Sequence, residues 1–130
     1  MAKVKIIDDD VELSAQMSAV LKNVGHDVST FDRIEGALEW LESDNPDLVV
    51  LDVMFPENAS GGLELAMKIR QNSRTKHLPV ILLSNINKEF PIGLSNKDID
   101  PQWMPVHAFL EKPVDSRELI RKVNDLLKKT

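Results

Sequence analysis

The sequence predicts an α/β fold in which helices cover both faces of a doubly wound, five-stranded parallel sheet. Short apolar runs of strand length alternate with longer runs in which apolar residues recur at helical spacing. Gly, Pro, Asn and Asp residues separate these runs as turn formers. Residues 79–84, PVILLS, are almost continuously apolar, which is typical of a parallel strand covered on both faces. This alternation predicts parallel strands joined by right-handed crossovers.

The apolar pattern places each element along the chain. The strands are predicted at residues 4–7, 27–31, 48–51, 79–84 and 107–111. The helices are predicted at residues 11–24, 34–41, 63–71 and 115–129. Residues 85–106 contain several prolines and have no sustained helical period, so we expect the helix between the last two strands to be irregular or shortened.

Helix boundaries are marked by capping residues. Asp10 is the predicted N-cap of the first helix and Gly25 its C-terminal stop. An Asp32-x-x-Glu35 capping box predicts the start of the second helix. Asp115 is the predicted cap of the last helix.

Length and composition bound the class of protein. With 130 residues, 42% of them hydrophobic, the chain can bury one core, and we expect residues 1–130 to form one domain. It contains no Cys, which excludes disulfides and thiolate chemistry. The first ten residues reach an acidic cluster after only a few apolar positions, so we expect no signal peptide, no membrane span and a cytoplasmic location. The net charge of −5 argues against binding to nucleic acid.

Polar side chains stand where four of the predicted strands end. They are Asp8 and Asp9, Asp52, Ser84 and Lys112. The carboxyl ends of parallel strands lie along one edge of a sheet, where open α/β folds bind ligands. Aspartate is a poor strand former and is costly to bury unpaired, so an acid that closes an apolar strand calls for a function. The sequence predicts that three acids, one hydroxyl and one ammonium converge at this edge.

This combination of groups predicts phosphoryl chemistry. Two carboxylates about 4 Å apart repel by roughly 4 kcal/mol at an effective dielectric constant near 20, so three together require protons or a cation. Oxygen ligands select a hard ion, and we predict Mg²⁺. Asp52 is then the nucleophile that forms an aspartyl phosphate, while Lys112 and Ser84 bind the remaining phosphoryl oxygens. The alternative is that Asp52 only pairs with Lys112 for stability, which leaves Asp8 and Asp9 unexplained.

Four segments in order resemble the receiver domain of bacterial two-component response regulators. They are IIDDD, VVLDVMFP, PVILLSN and FLEKPV, and the resemblance covers the whole chain. It implies a flavodoxin-like sheet with strand order 2-1-3-4-5, as in CheY-like stand-alone receivers. It also implies a Mg²⁺-dependent phosphoacceptor that receives its phosphoryl group from a sensor histidine kinase or a histidine phosphotransfer protein.

The resemblance further assigns roles at the metal and phosphorylation site. Asp52 corresponds to the phosphoacceptor, and Asp8 and Asp9 correspond to the acidic pair that serves Mg²⁺. Met54 corresponds to the residue whose backbone carbonyl completes the metal site.

The resemblance also assigns a switch. Ser84 corresponds to the switch hydroxyl, Phe109 to the aromatic that changes rotamer with it, and Lys112 to the family's lysine. A cis peptide bond is implied between Lys112 and Pro113. The loop at residues 57–61 is longer than the corresponding loop in the family. Together with the irregular pattern at residues 85–106, this indicates an altered output surface.

Three functions follow as hypotheses. The first is a stand-alone receiver, which is a signalling protein rather than a dedicated enzyme. Unless the chain is a fragment, such a receiver controls an unidentified partner protein or passes the phosphoryl group on, and it could form a homodimer. The second is a pseudo-receiver that acts as a phosphorylation-independent interaction module. The third, a small phosphohydrolase, ranks last because Met54 occupies the position, two residues after Asp52, where such enzymes generally need a second acid.

Overall fold

A computed structural model describes residues 2–53, 55–56, 61–84 and 106–128, without the side chain of Ser84. The strands are β1 (Lys3–Ile7), β2 (Asp27–Phe31), β3 (Leu48–Asp52), β4 (Val80–Ser84) and β5 (Ala108–Glu111). The helices in these ranges are α1 (Val11–Asn23), α2 (Ala37–Asp44), α3 (Gly61–Gln71) and the C-terminal helix α4 (Ser116–Lys128).

The five strands form one parallel sheet in the order β2-β1-β3-β4-β5. The predicted fold class and strand order are therefore confirmed. The prediction of an irregular or shortened helix at residues 85–106 falls outside the described residues, apart from Val106. Within the described ranges, no helix combines the length and the apolar character needed to cross a membrane.

The core consists of two apolar clusters, one on each face of the sheet. The first includes Ile7 and Leu51 with side chains of α2 and α3, and the second includes Ile6 and Val50 with side chains of α1 and α4. In β4, residues 80–83 are fully buried, as the continuous apolar run predicted. Because both faces of the central strands β1, β3 and β4 are covered, these strands present polar groups to solvent only at their ends.

The predicted caps of the first and last helices are confirmed. The Asp10 side chain accepts a hydrogen bond from the Leu13 amide at 3.1 Å, and Gly25 adopts a left-handed φ of 98° after α1. Asp115 Oδ1 accepts a hydrogen bond from the Glu118 amide at 3.1 Å at the start of α4. Each bond satisfies an amide that has no partner within its helix.

The predicted start of the second helix is wrong. The helix begins at Ala37, and its N-cap is Gly36, which has a φ of 83° and makes no side-chain capping bond. A residue with positive φ cannot be part of a right-handed helix, so the helix starts after the glycine. The Asp32 carboxylate instead accepts a hydrogen bond from Arg33 Nε at 2.9 Å. The Asp32-x-x-Glu35 pattern is therefore not a capping box here.

A buried lysine in β1 binds α2 to the sheet. The side chain of Lys5 is 3% exposed and forms an ion pair with Asp44 at the end of α2. Its Nζ also lies 4.4 Å from the ring centroid of Trp40, which stacks on Phe31 with centroids 4.9 Å apart. The ammonium is thus compensated by a carboxylate and by an aromatic face, as a buried charge requires.

Candidate functional site: an acidic pocket at the carboxyl edge of the sheet

Three of the predicted acids lie together at the carboxyl edge of the sheet. Asp8 and Asp9 follow β1, and Asp52 is the last residue of the neighbouring strand β3. One carboxylate oxygen from each residue lies within 4.8 Å of the other two. Asp8 and Asp52 are buried, with 0% and 2% of their surface exposed, whereas Asp9 is exposed. The pocket therefore has two acids in its floor and one at its mouth.

Lys112, which follows β5, completes the pocket. Its Nζ lies 3.1 Å from Asp52 Oδ1 and 3.5 Å from Asp8 Oδ2. The peptide bond between Lys112 and Pro113 is cis, as the resemblance implied. Four of the five side chains that the sequence placed at this edge are thus in mutual contact or close to it.

The position of Asp8 is set by the start of α1. Asp8 Oδ1 accepts a hydrogen bond from the Asp10 amide at 2.9 Å, and the Asp8 amide donates to the Phe31 carbonyl at 3.0 Å. Asp10 is at the same time the N-cap of α1 through Leu13. The acidic run is therefore attached both to the helix and to the neighbouring strand β2.

The pKa values of Asp8 and Lys112 reflect the crowding of charges. Burial raises the pKa of Asp8, and the hydrogen bond from the Asp10 amide and the attraction of Lys112 only partly oppose this effect. For Lys112, burial alone lowers the pKa, but the attraction of Asp52 and Asp8 outweighs burial, so the pKa lies above its ordinary value. Lys112 is therefore a permanent cation at neutral pH, while the acids remain incompletely compensated.

The donor set fits a hard divalent cation. All three acidic groups offer oxygen, and buried Asp8 Oδ2 makes no hydrogen bond within the described part of the chain, since its ion-pair partner Lys112 Nζ is 3.5 Å away. A single ammonium does not neutralise three carboxylates. Mg²⁺ binds through one or two carboxylates and retains waters that phosphate oxygens can displace. Asp8, Asp9 and Asp52 would hold such an ion.

The remaining predicted site residues are only partly described. Ser84 is the last residue of β4, one position beyond the residue that pairs with Asp52, and its side chain lies outside the described atoms. Met54 also lies outside the described residues. Phe109 is buried in the core beside α3, and its carbonyl oxygen accepts a hydrogen bond from Lys122 Nζ at 2.6 Å.

One residue at the site was not identified from the sequence. Gly62, in the first turn of α3, lies directly against the backbone of Asp52. In the sequence it is one of two glycines after an apolar strand, a pattern that indicates only the end of a loop. Its close approach depends on how α3 folds back on the sheet, which sequence spacing does not give.

A flavodoxin-like parallel sheet of order 2-1-3-4-5 with an acidic pocket at its carboxyl edge defines the class of CheY-like signalling domains. A family model described as the response regulator receiver domain matches residues 4–124, and the chain belongs to this family. Phosphorylation and Mg²⁺ binding at an acidic pocket are typical of the family.

Individual relatives agree with this assignment. The DNA-binding dual master transcriptional regulator RpaA of Synechocystis is 30% identical over 131 residues, which cover 100% of this chain and 51% of that protein. The transcriptional regulatory protein AfsQ1 of Streptomyces coelicolor is 32% identical over 131 residues, covering 99% of this chain and 52% of that protein. The chain thus spans about half the length of the curated relatives it matches.

Solved structures show the same architecture. The receiver domain of Francisella response regulator 1452 superposes with a TM-score of 0.76 at 27% identity, covering 99% of this chain and 98% of that one. The chemotaxis response regulator CheY4 of Vibrio cholerae superposes with a TM-score of 0.79 at 23% identity, covering 97% of this chain and 98% of that one. The second likeness is one of fold alone.

Proposed function

We propose that residues 1–130 form one receiver domain that accepts a phosphoryl group on Asp52 in a Mg²⁺-dependent reaction. The observation that carries this proposal is the contact of Lys112 with Asp52 and Asp8 in a pocket of three acids. A pairing made only for stability needs one acid and one base. The second buried acid and the exposed Asp9 are better explained by a cation that the site recruits.

The proposed reaction is transfer from a phosphohistidine of a sensor kinase or phosphotransfer protein. A carboxylate oxygen of Asp52 attacks phosphorus and forms the P–O bond, while the electron pair of the P–N bond returns to the imidazole nitrogen. Bound Mg²⁺ would supply neutralisation of the charge on the transferring group. Asp8, Asp9 and Asp52 would hold that ion, together with the Met54 carbonyl that the resemblance implies.

Lys112 and Ser84 bind the phosphoryl group once it is on Asp52. Once Asp52 is phosphorylated, Lys112 binds a phosphoryl oxygen as a point charge, because its partner oxygen has become part of the acyl phosphate. The Ser84 hydroxyl donates to another phosphoryl oxygen and moves with Phe109, which changes the surface offered to an output protein. We propose a cytoplasmic protein partner, and the net charge of −5 keeps nucleic acid binding by this chain unfavourable.

The test is phosphorylation by a small donor. Incubation with Mg²⁺ and acetyl phosphate or phosphoramidate should add one phosphoryl group, measured by intact mass, and hydroxylamine should remove it as it does other acyl phosphates. Asp52→Asn should gain none. Asp125→Asn, the same chemical change at an exposed position of α4, should behave like the wild type.

Two results would contradict the proposal. One is a wild-type protein that stays unmodified with Mg²⁺ and either donor, and the other is a phosphoryl group that persists in Asp52→Asn. A partner that binds wild type and Asp52→Asn equally, with no spectral change on adding beryllium and fluoride, would favour the pseudo-receiver instead.

A further inference from the structure

Helix α3 begins in direct contact with the backbone that carries Asp52. A Cβ atom placed on Gly62 would lie 1.7 Å from the carbonyl oxygen of Asp52, and 2.7 Å from both its carbonyl carbon and Val53 Cα. Real Cβ atoms essentially never approach other heavy atoms closer than 3.0 Å. Any side chain at position 62 would therefore force this helix turn and the end of β3 apart by 1.3 Å, the difference between the two distances.

Hydrogen bonds hold the same two segments together. The Gly62 amide donates to the Val53 carbonyl at 2.8 Å, and the Val53 amide donates to the Leu83 carbonyl in β4 at 3.2 Å. The first turn of α3 is thus bonded to the residue after Asp52, which is bonded in turn to the neighbouring strand. The backbone of Asp52 has little freedom to move without breaking one of these bonds.

Glycine is required here for space rather than for backbone conformation. Gly25 and Gly36 have positive φ values of 98° and 83°, and a Cβ at Gly25 would meet nothing within 4 Å. Gly62 has no such φ but has no room for a side chain. The two kinds of glycine can therefore be separated by experiment.

We propose that Gly62 is a positioning residue for the phosphoacceptor, and this rests on the function proposed above. By lacking a side chain it lets α3 lie against the Asp52 carbonyl and fixes where the Asp52 carboxylate stands. The contact of that carboxylate with Lys112 is 3.1 Å, so a displacement of 1.3 Å would break it. A misplacement of about 1 Å can lower the rate of a positioned reaction about 100-fold.

The first experiment compares Gly62→Ala with Gly25→Ala. Both change one glycine to alanine, but position 25 follows α1 at the opposite edge of the sheet from Asp52. With acetyl phosphate and Mg²⁺, the phosphorylation rate per folded molecule should fall about 100-fold in Gly62→Ala and less than about threefold in Gly25→Ala. Folded fractions are matched by far-UV circular dichroism, so that loss of stability alone does not count. Equal rates in the two folded variants would overturn the proposal.

The second experiment uses the wild type and decides the matter if Gly62→Ala does not fold. Native-state hydrogen exchange measures how readily individual amides open. If α3 holds the end of β3, the amides of Gly62 and Val53 should show the same protection within about threefold and open together. Protection of the Gly62 amide below that of Val53 by more than this factor would show that the helix turn opens alone and would refute the proposal. This result does not depend on phosphorylation, whereas an unmodified wild type would count against the proposed function only.

Discussion

Replacing Asp52 with Asn should stabilise the protein in the absence of a divalent cation, although it breaks the ion pair with Lys112. The oxygens of Asp8 and Asp9 lie within 4.8 Å of that of Asp52. At an effective dielectric constant near 20 and the separation of 4.8 Å, the repulsion between Asp8 and Asp52 is about 3.5 kcal/mol. Because Asp9 is exposed to solvent, the repulsion between Asp9 and Asp52 is roughly half of that between Asp8 and Asp52.

The attraction of Lys112 only balances this repulsion. At 3.1 Å it contributes about 5 kcal/mol at the same dielectric constant. The pairwise interactions of Asp52 therefore nearly cancel, and the cost of dehydrating its carboxylate remains, since the residue is 2% exposed. A neutral amide avoids most of this cost, so we expect Asp52→Asn to gain about 1–3 kcal/mol of unfolding free energy.

Urea unfolding followed by circular dichroism, with EDTA and then with Mg²⁺, measures this gain. Mg²⁺ at 100 times its dissociation constant should stabilise the wild type by about 2.7 kcal/mol and Asp52→Asn by clearly less, because a ligand is missing. Asp125→Asn controls for the change in net charge and should stay within about 0.5 kcal/mol of the wild type. A loss of more than about 1 kcal/mol in Asp52→Asn without Mg²⁺ would refute the reasoning, because the Lys112 pair would then be a net source of stability.

Three further predictions concern other charged side chains. Lys112→Met should lose about 3 kcal/mol of unfolding free energy in EDTA, because two buried acids lose their cation, and Mg²⁺ should restore much of this loss. A loss below about 1 kcal/mol in EDTA would contradict the prediction. Lys5→Met should be between neutral and about 1 kcal/mol more stable in urea, because an apolar chain of similar volume replaces a buried ammonium; a loss above about 2 kcal/mol would show that the pairing with Asp44 and Trp40 is strongly stabilising. Burial, and to a lesser extent the charge of Arg70, lowers the pKa of His107, whose Nδ1 accepts a hydrogen bond from the Val80 amide. The unfolding free energy of the wild type should therefore fall relative to that of His107→Gln as the pH drops through 6.5, the ordinary pKa of histidine, and parallel pH profiles of the two proteins would exclude this.

The fold could be predicted from the sequence because local signals and tertiary structure agree. Strand-length apolar runs, such as the one at residues 79–84, lie between residues that end regular structure, and each became a strand of the sheet. Asp10 and Asp115 were recognisable as caps because capping depends on residues only a few positions away. The meeting of Asp8, Asp52 and Lys112 followed from the rule that the carboxyl ends of parallel strands lie along one edge of the sheet.

The features that were missed depend on partners distant in the chain or on backbone geometry. Lys5 reads as an interruption of an apolar strand, and only Asp44 and Trp40 of α2 explain why it is buried. The predicted start of α2 was wrong because the left-handed turn at Gly36 overrides a local capping pattern. The role proposed for Gly62 requires the distance between a helix and a strand end, which no spacing rule supplies.

Asp10 caps α1 with its side chain and binds the Asp8 carboxylate with its amide, and both bonds affect how readily the pocket can accept an ion. One residue both starts α1 and supports the Asp8 carboxylate, so this ligand is held in place before any ion arrives. Ordering a flexible loop would otherwise subtract from the binding free energy. An ion entering this pocket would therefore lose little binding free energy to ordering this ligand.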